Sequence, residues 1–330
     1  MKKTLIIESC ERKVKDDFSS SSIVHIRNSF IIQNILECDL ISHVSEIDNV
    51  INNKYDYIIC MYASPYMKYN EYIRILDVNR QAKIFWLVND HDCEDNVLLR
   101  KWVVKHNDIY HVVCNNPRDG YRHWILGKNI NGKKLRDWIG EWYTINLNAL
   151  VYNEIDKSEL STKQDCIYYG TYRKWRAKDI IRYNGFHYDI STSKKNVIKY
   201  QTANISANFV DRLSWEIGNE ALKKYKYSIY FEDEHTHTNY AFMANRFYEC
   251  VMCDVLLFFD YKCDLVISKS GYIIDAFLIV KDATDITDKI KELENNEEKY
   301  LELLNGQRAN NNLILTDRNS VVNKIKEIFS

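Results

Sequence analysis

Apolar residues along the chain gather in short runs, and the segments between them carry helical spacing. In the first half the runs Lys3–Glu8 (KTLIIE), Cys38–Val44, Asp56–Met61, Lys83–Val88 (KIFWLV) and Ile109–Cys114 read as buried strands. A helix from about Ile23 to Leu36 and helical or mixed segments such as Tyr69–Val78 and Asn96–Lys105 separate them. Trp142–Val151 is the last element of this half, and the acidic, polar Tyr152–Lys163 is a linker. The pattern then restarts with the strand Asp165–Gly170 (DCIYYG), helical spacing, a strand within His187–Ser193 and a helix over Arg212–Lys224. Gly271–Asp285 is rich in strand signal and Ile286–Leu304 has helical spacing; Asn310–Asn312 interrupt that spacing before a last amphipathic helix, Ser320–Phe329. Alternation of this kind predicts doubly wound α/β sheets, and a second start predicts a second domain.

The most informative stretch is Tyr227–Asp260, which reads strand, loop, helix, strand. On its helix Met243, Phe247, Cys250 and Val251 recur at the spacing of a face turned to a sheet, while Arg246 and Glu249 share another face. A helix that starts at the carboxyl end of a parallel strand aims free N–H groups at the crevice where such sheets bind ligands. An arginine there offers a fork for a diphosphate, and a glutamate three residues on can accept from ribose hydroxyls. A surface ion pair on an ordinary helix fits the same spacing. A similar turn follows the strand DCIYYG, where Gly170 permits close backbone approach and Thr171, Arg173 and Arg176 supply a hydroxyl and two cations at a helix start. A basic surface turn is the alternative there. No GxGxxG follows the first strand, which disfavours a dinucleotide site; Ser19–Ser22 instead offer a helix cap and a flexible loop.

Composition narrows the class. At 330 residues the chain exceeds one ordinary core, and 46% hydrophobic with 28% charged residues is that of a globular protein. Two prolines and nine glycines leave little room for low-complexity linkers. The apolar run after Lys2 and Lys3 is too short for a signal peptide and no stretch is long enough to span a membrane, so a cytoplasmic protein is expected. Nine scattered cysteines fit reduced thiols, and the Cys250-x-x-Cys253 pair lies inside an amphipathic helix as core rather than as a zinc site.

Three clusters carry further candidate chemistry. KIFWLV ends in Asn89-Asp90-His91-Asp92, where a carboxylate just past a buried strand can act as a base; a solvated loop or a casual cation site fits the same residues. From Arg118 to Arg136 six cations, Arg118, Arg122, Lys128, Lys133, Lys134 and Arg136, meet one acid among interleaved aromatics, and three glycines make the stretch a loop. It suits a phosphate backbone, or it is a plain basic loop. His235 and His237 beside Glu232, Asp233 and Glu234 have the donor types of a metal site, though they can equally face solvent.

RFYECVMCDVLLFFD is similar to the arginine-x-x-glutamate helix, small-residue turn and buried strand in the C-terminal domain of GT-B glycosyltransferases. More closely, the chain resembles the phage DNA β-glucosyltransferases, which move glucose from UDP-glucose to hydroxymethylcytosine in duplex DNA. This resemblance implies an α/β fold of two Rossmann-like domains facing a central cleft (GT-B). Residues 1–157 would bind the acceptor, 158–315 the nucleotide-sugar, and 316–330 would form a helix returning to the first domain. It implies a donor site of Gly170, Thr171, Arg173, Arg176, Arg246 and Glu249, with the Ser19–Ser22 loop near the donor, and Asp90 as the base, for which His91 and Asp92 compete. The step from Arg173 to Arg176 is one residue shorter than the family's, and a net charge of −1 is low for a DNA-acting enzyme. The implied partners are a nucleotide-sugar and double-stranded DNA held by the basic loop. No membrane is implied, and the chain would be a monomer with Mg²⁺ or Mn²⁺ as a soluble activator rather than a caged metal. Transfer to a surface glycan, lipid or protein, and a nucleotide- or DNA-binding module without chemistry, remain the alternatives.

Overall fold

The apolar runs of the first half become the strands of one parallel sheet in the computed structural model. The structure describes residues 2–7, 23–41, 44–60, 69–88, 102–103, 105–106, 109–114, 129–130, 133–146, 149–150, 164–214, 221–232 and 243–330. The chain divides into two compact units, one of Met1–Phe18, Ser22–Val151 and Asp317–Ser330, the other of Ser19–Ser21 and Tyr152–Thr316.

In the first unit β1 (Thr4–Ile7) is followed by α1 (Ile23–Leu36), β2 (Asp39–Ile41), α2 (Ile47–Val50), β3 (Tyr57–Cys60), α3 (Tyr69–Val78), β4 (Lys83–Val88) and β5 (Tyr110–Cys114). Next come the hairpin strands β6 (Asn129–Ile130) and β7 (Lys133–Lys134), then β8 (Ile139–Thr144). The sheet order is β2-β1-β3-β4-β5-β8, every pair parallel. All residues of β1 and β3 are buried, which is why these strands read as unbroken apolar runs rather than alternating ones. Two expectations are corrected here. The last element is β8, which begins before Trp142 and ends at Thr144, and the basic stretch taken as a loop contains the β6–β7 hairpin and a 3-10 turn, Leu135–Trp138. The linker expected over Tyr152–Lys163 lies outside the described residues.

The second unit runs β9 (Gln164–Tyr169), α4 (Lys174–Ile180), β10 (Asp189–Ser191), α5 (Lys194–Thr202), β11 (Asn208–Val210), β12 (Tyr225–Tyr230), α6 (Asn245–Met252) and β13 (Leu256–Asp260). It closes with α7 (Asp264–Ser270), β14 (Ile279–Val280), α8 (Ala283–Glu294) and α9 (Glu297–Ile328). Its sheet is also parallel throughout, in the order β11-β10-β9-β12-β13-β14 of a Rossmann fold. The core is rich in tyrosine, and hydroxyls that would otherwise be stranded reach acids: Tyr183 donates to Asp260, Tyr227 to Glu294 and Tyr225 to Asp189, at 2.7, 2.6 and 2.8 Å. Cys166, Cys250, Cys253 and Cys263 are buried free thiols. Burial pushes the Cys166 and Cys263 thiols well up and that of Cys250 to about 12. Where a helix was expected over Arg212–Lys224, the described part holds only a 3-10 turn, Ala221–Lys224; Gly271–Asp285 contributes just the two-residue β14.

The largest departure is α9, a single helix of 32 residues that passes through Asn310–Asn312 without a break. Asparagine weakens a helix when its amide competes for the local backbone, and here the Asn310 amide is occupied elsewhere. Fully buried, it accepts from Ile273 N and donates to Ile273 O, both at 3.0 Å. One turn earlier Gln307 does the same to β13 and its approach, accepting from Leu257 N at 2.8 Å and donating to Val255 O at 2.7 Å. Arg308 adds a contact at 2.8 Å to Asp254, which turns the chain between α6 and β13 with a positive φ of 52°. From Asp317 onward α9 belongs to the first unit, where Val321, Ile325 and Ile328 join the core with Ile6, Ile59 and Phe85. No helix among the described residues is long and apolar enough to cross a membrane. Gln307→Leu strands one backbone donor and one acceptor in an apolar setting, so urea unfolding of the second unit is expected to show a loss of about 2–4 kcal/mol.

Candidate functional site

In the second sheet the strand order reverses between β9 and β12, and ligands of open α/β folds sit outside the carboxyl ends of the strands at such a point. Arg246, in the first turn of α6, reaches into this position. Its Nε and Nη2 donate to Tyr169 O at 3.2 and 2.9 Å, at the end of β9, and its Nη1 donates to Phe231 O at 3.1 Å, just past β12. One guanidinium therefore ties together the two strand ends that flank the switch point. It is only 8% exposed and is ringed by aromatic faces, with its Cζ 4.9, 5.3 and 5.8 Å from the ring centres of Tyr168, Tyr169 and Tyr230. Its partners among the described residues are neutral carbonyls and rings, and each terminal nitrogen keeps one N–H beyond those bonds.

Around Arg246 lie the other expected residues. Glu249, 6% exposed and three residues along α6, accepts from the Tyr169 hydroxyl at 2.8 Å. Burial, before the nearby acids, drives the Tyr169 phenol well above its ordinary range, so this hydroxyl is a donor at every working pH. Neither side chain is the exposed partner of a surface ion pair; all of Arg246–Met252 is buried. The Arg176 side chain in α4 is also mostly buried and pairs with Glu232 at 3.3 Å and the Tyr168 hydroxyl at 3.2 Å. Glu232 further accepts from the Tyr230 hydroxyl at 3.0 Å, so this acid both anchors Arg176 and is held by a buried phenol. Among the described residues no group of three or more His, Cys, Asp or Glu side chains could hold a metal ion.

Gly170 opens the turn from β9 into α4. Its N–H donates to Ser191 O at 3.2 Å, and its carbonyl accepts from the Thr192 hydroxyl at 2.8 Å. A Cβ here would stand 3.0 Å from Arg246 Nη2 and 3.2 Å from the Tyr168 hydroxyl, and the φ of +157° disfavours any side chain. Thr171 and Arg173 follow on the same turn, both exposed, with Arg173 immediately before α4. The structure thus brings Gly170, Arg176, Arg246 and Glu249 together at one crevice, with Thr171 and Arg173 on the turn that borders it. Sequence reasoning missed the tyrosines Tyr168, Tyr169 and Tyr230 and the use of Glu232; on strands YY and IYFE they carry only a core signal.

Asp90, His91 and Asp92, the serines Ser19–Ser22, His235 and His237, and Arg118, Arg122 and Lys128 of the basic stretch lie outside the described residues; Lys133 and Lys134 fall in β7 and Arg136 in the turn after it. Gly170→Ala presses a methyl group against two buried polar atoms, and a loss of about 1–3 kcal/mol in thermal or urea unfolding is expected.

No protein-family model and no curated protein sequence matches the chain. Solved structures do. T4 phage BGT in complex with UDP-glucose superposes with a TM-score of 0.72 at 15% identity, covering 100% of both chains. An α-glucosyltransferase in complex with UDP-glucose and DNA containing an abasic site gives 0.60 at 11% identity, over 93% of this chain and 94% of that one. Anabaena HepE in complex with UDP-glucose gives 0.56 at 9% identity and 99% of both chains. Two parallel α/β units, the second in Rossmann order, and likeness over the full length to these enzymes identify the fold of the chain as that of the GT-B glycosyltransferases.

Proposed function

We propose that the chain is a nucleotide-sugar-dependent glycosyltransferase that moves a hexose from UDP-glucose to the hydroxyl of a hydroxymethylated pyrimidine in phage DNA, by direct displacement with inversion. The observation that carries the donor half is Arg246, a buried guanidinium fixed across the switch point with N–H groups to spare and only carbonyls as its hydrogen-bond acceptors among the described residues. Burying a cation without a carboxylate in direct contact is costly, and a diphosphate is the ligand that would offset the cost. Glu249 stands one turn along as the acceptor for ribose hydroxyls, and Gly170, Thr171, Arg173 and Arg176 line the other side of the diphosphate. Cations held in place before the sugar–phosphate bond breaks stabilise the charge that appears on the leaving diphosphate. The solved relatives carry UDP-glucose, and one of them also DNA, which supports this choice of donor and acceptor. A divalent ion, if used, would travel with the diphosphate, as Mn²⁺ accompanies UDP in one T4 phage BGT structure.

On the acceptor side the base is Asp90, by its position after the β4 run and its match to the family, and the basic stretch Arg118–Arg136 grips the duplex. The first domain thus takes the acceptor, the second the donor, and the enzyme works in the cytoplasm as a monomer. The deciding assay is UDP release from UDP-glucose with and without duplex DNA containing hydroxymethylated bases, followed by mass spectrometry of the DNA. Release that ignores DNA but responds to a glycan, lipid or protein acceptor would favour the other transferase reading, and no release with intact UDP binding would favour a binding module.

Two sets of variants separate the halves. Glu249→Ala is expected to weaken UDP binding by about 1.5–3 kcal/mol in calorimetry with the fold retained, and Arg246→Ala to weaken it by at least as much while also lowering the stability of the second unit in urea unfolding. Asp90→Asn keeps size and polarity but cannot take the proton, so turnover should fall by about 10²–10⁴-fold while UDP affinity stays the same. Loss of transfer in Asp92→Asn but not in Asp90→Asn would move the base by two residues.

A further inference from the structure

Two buried guanidiniums in one crevice repel each other, and something must hold them there before a ligand arrives. Glu232 answers for Arg176, at 3.3 Å, but Arg246 hydrogen-bonds only carbonyls among the described residues. The group in direct contact with both is Tyr168, the penultimate residue of β9, which is fully buried. Its hydroxyl accepts from Arg176 Nη1 at 3.2 Å, and its ring lies under the Arg246 Cζ at 4.9 Å. The hydroxyl also converges with Arg246 Nη2 on the space a Gly170 Cβ would fill, 3.2 and 3.0 Å away. Tyr200, from α5, is a further hydrogen-bond partner of this hydroxyl and donates to Gly170 O at 3.4 Å. Charged and titratable groups thus meet the phenol from several elements: Arg176 from α4, Tyr188 from just before β10, Tyr200 from α5 and Arg246 from α6, with Glu232 and Tyr230 behind the two arginines.

We propose that Tyr168 is the positioning residue of the diphosphate site: its oxygen stands in for the absent diphosphate, holding Arg176 beside Arg246, and gives up that role as counter-charge when the ligand binds. The proposal rests on the nucleoside-diphosphate reading of the crevice. A phenol in this place is set apart from the other buried tyrosines. Burial raises its pKa, as it does theirs, yet the Arg176 and then the Arg246 guanidinium outweigh burial and hold Tyr168 below the ordinary tyrosine value. Burial carries Tyr230 the other way. A bound diphosphate brings negative charge beside the phenol and restores its hold on the proton. Binding therefore takes up protons, and affinity falls as pH rises through the pKa of the empty site.

The test is UDP calorimetry from pH 7 to pH 9 on the full chain and on Tyr168→Phe, which keeps the ring over Arg246 and removes the oxygen. The ligand's own titration cancels between the two proteins. The unaltered chain should lose affinity with pH more steeply, by up to about tenfold per pH unit, the limit for one linked proton. It should also take up protons when the titration is repeated in two buffers of different ionisation enthalpy, and Tyr168→Phe should not. Arg176→Gln leaves the phenol but removes its nearest cation, and should flatten the pH slope in the same way, so the result does not hang on one variant. Equal slopes in all three proteins, with binding intact, would overturn the proposal while leaving the diphosphate reading in place. No UDP binding by the unaltered chain at any pH would overturn that reading and this proposal with it.

Discussion

The guanidinium of Arg246 across the ends of β9 and β12 is the contact on which the rest of the second unit depends. Where strand order reverses, neighbouring loops leave the sheet in opposite directions, and nothing in the ladder itself keeps their first residues together. Arg246 does so through Tyr169 O and Phe231 O, so one side chain both joins the chain ends that leave the paired strands and builds the floor of the crevice.

The surrounding residues answer the problems this arrangement raises. Cations in a low dielectric need acceptors, and the site uses those that keep some of the positive charge available, namely carbonyls, aromatic faces and a phenol, in preference to a second carboxylate. Glu232 compensates Arg176, and Glu249 is kept outside the arginine pair by its bond to the Tyr169 hydroxyl. Gly170 is the counterpart in space. The backbone passes so near Arg246 Nη2 that a Cβ would crowd it at 3.0 Å.

Much of this was legible because strand burial is a local signal. KIFWLV is β4 to the residue, and Ile23–Leu36 and Tyr69–Val78 are α1 and α3 as the spacing predicts. Arg246 and Glu249 could be singled out because a charged pair on an otherwise apolar helix is conspicuous. Their burial was not legible, since it depends on Tyr169 and Phe231, 77 and 15 residues away from Arg246. The misreading of α9 has the same origin. Asn310 looks like a helix breaker until Ile273, 37 residues distant, occupies its amide. Tyr168 left no trace because a tyrosine on a strand is ordinary core; only the two arginines that meet on it give it a part in the chemistry.

The four buried cysteines of the second unit have a consequence of their own. Thiol reagents attack the thiolate, and burial keeps Cys166, Cys250 and Cys263 protonated and out of reach. Cys166 lies on β9, Cys250 on α6, and Cys263 in the turn after β13, from which it donates to the Tyr230 carbonyl at the end of β12. Alkylation of each must wait for its own element to part from the sheet. The rate at which each thiol is modified is then a clock for local opening, and a ligand that clamps β9 and α6 together would slow the hands of Cys166 and Cys250 at once.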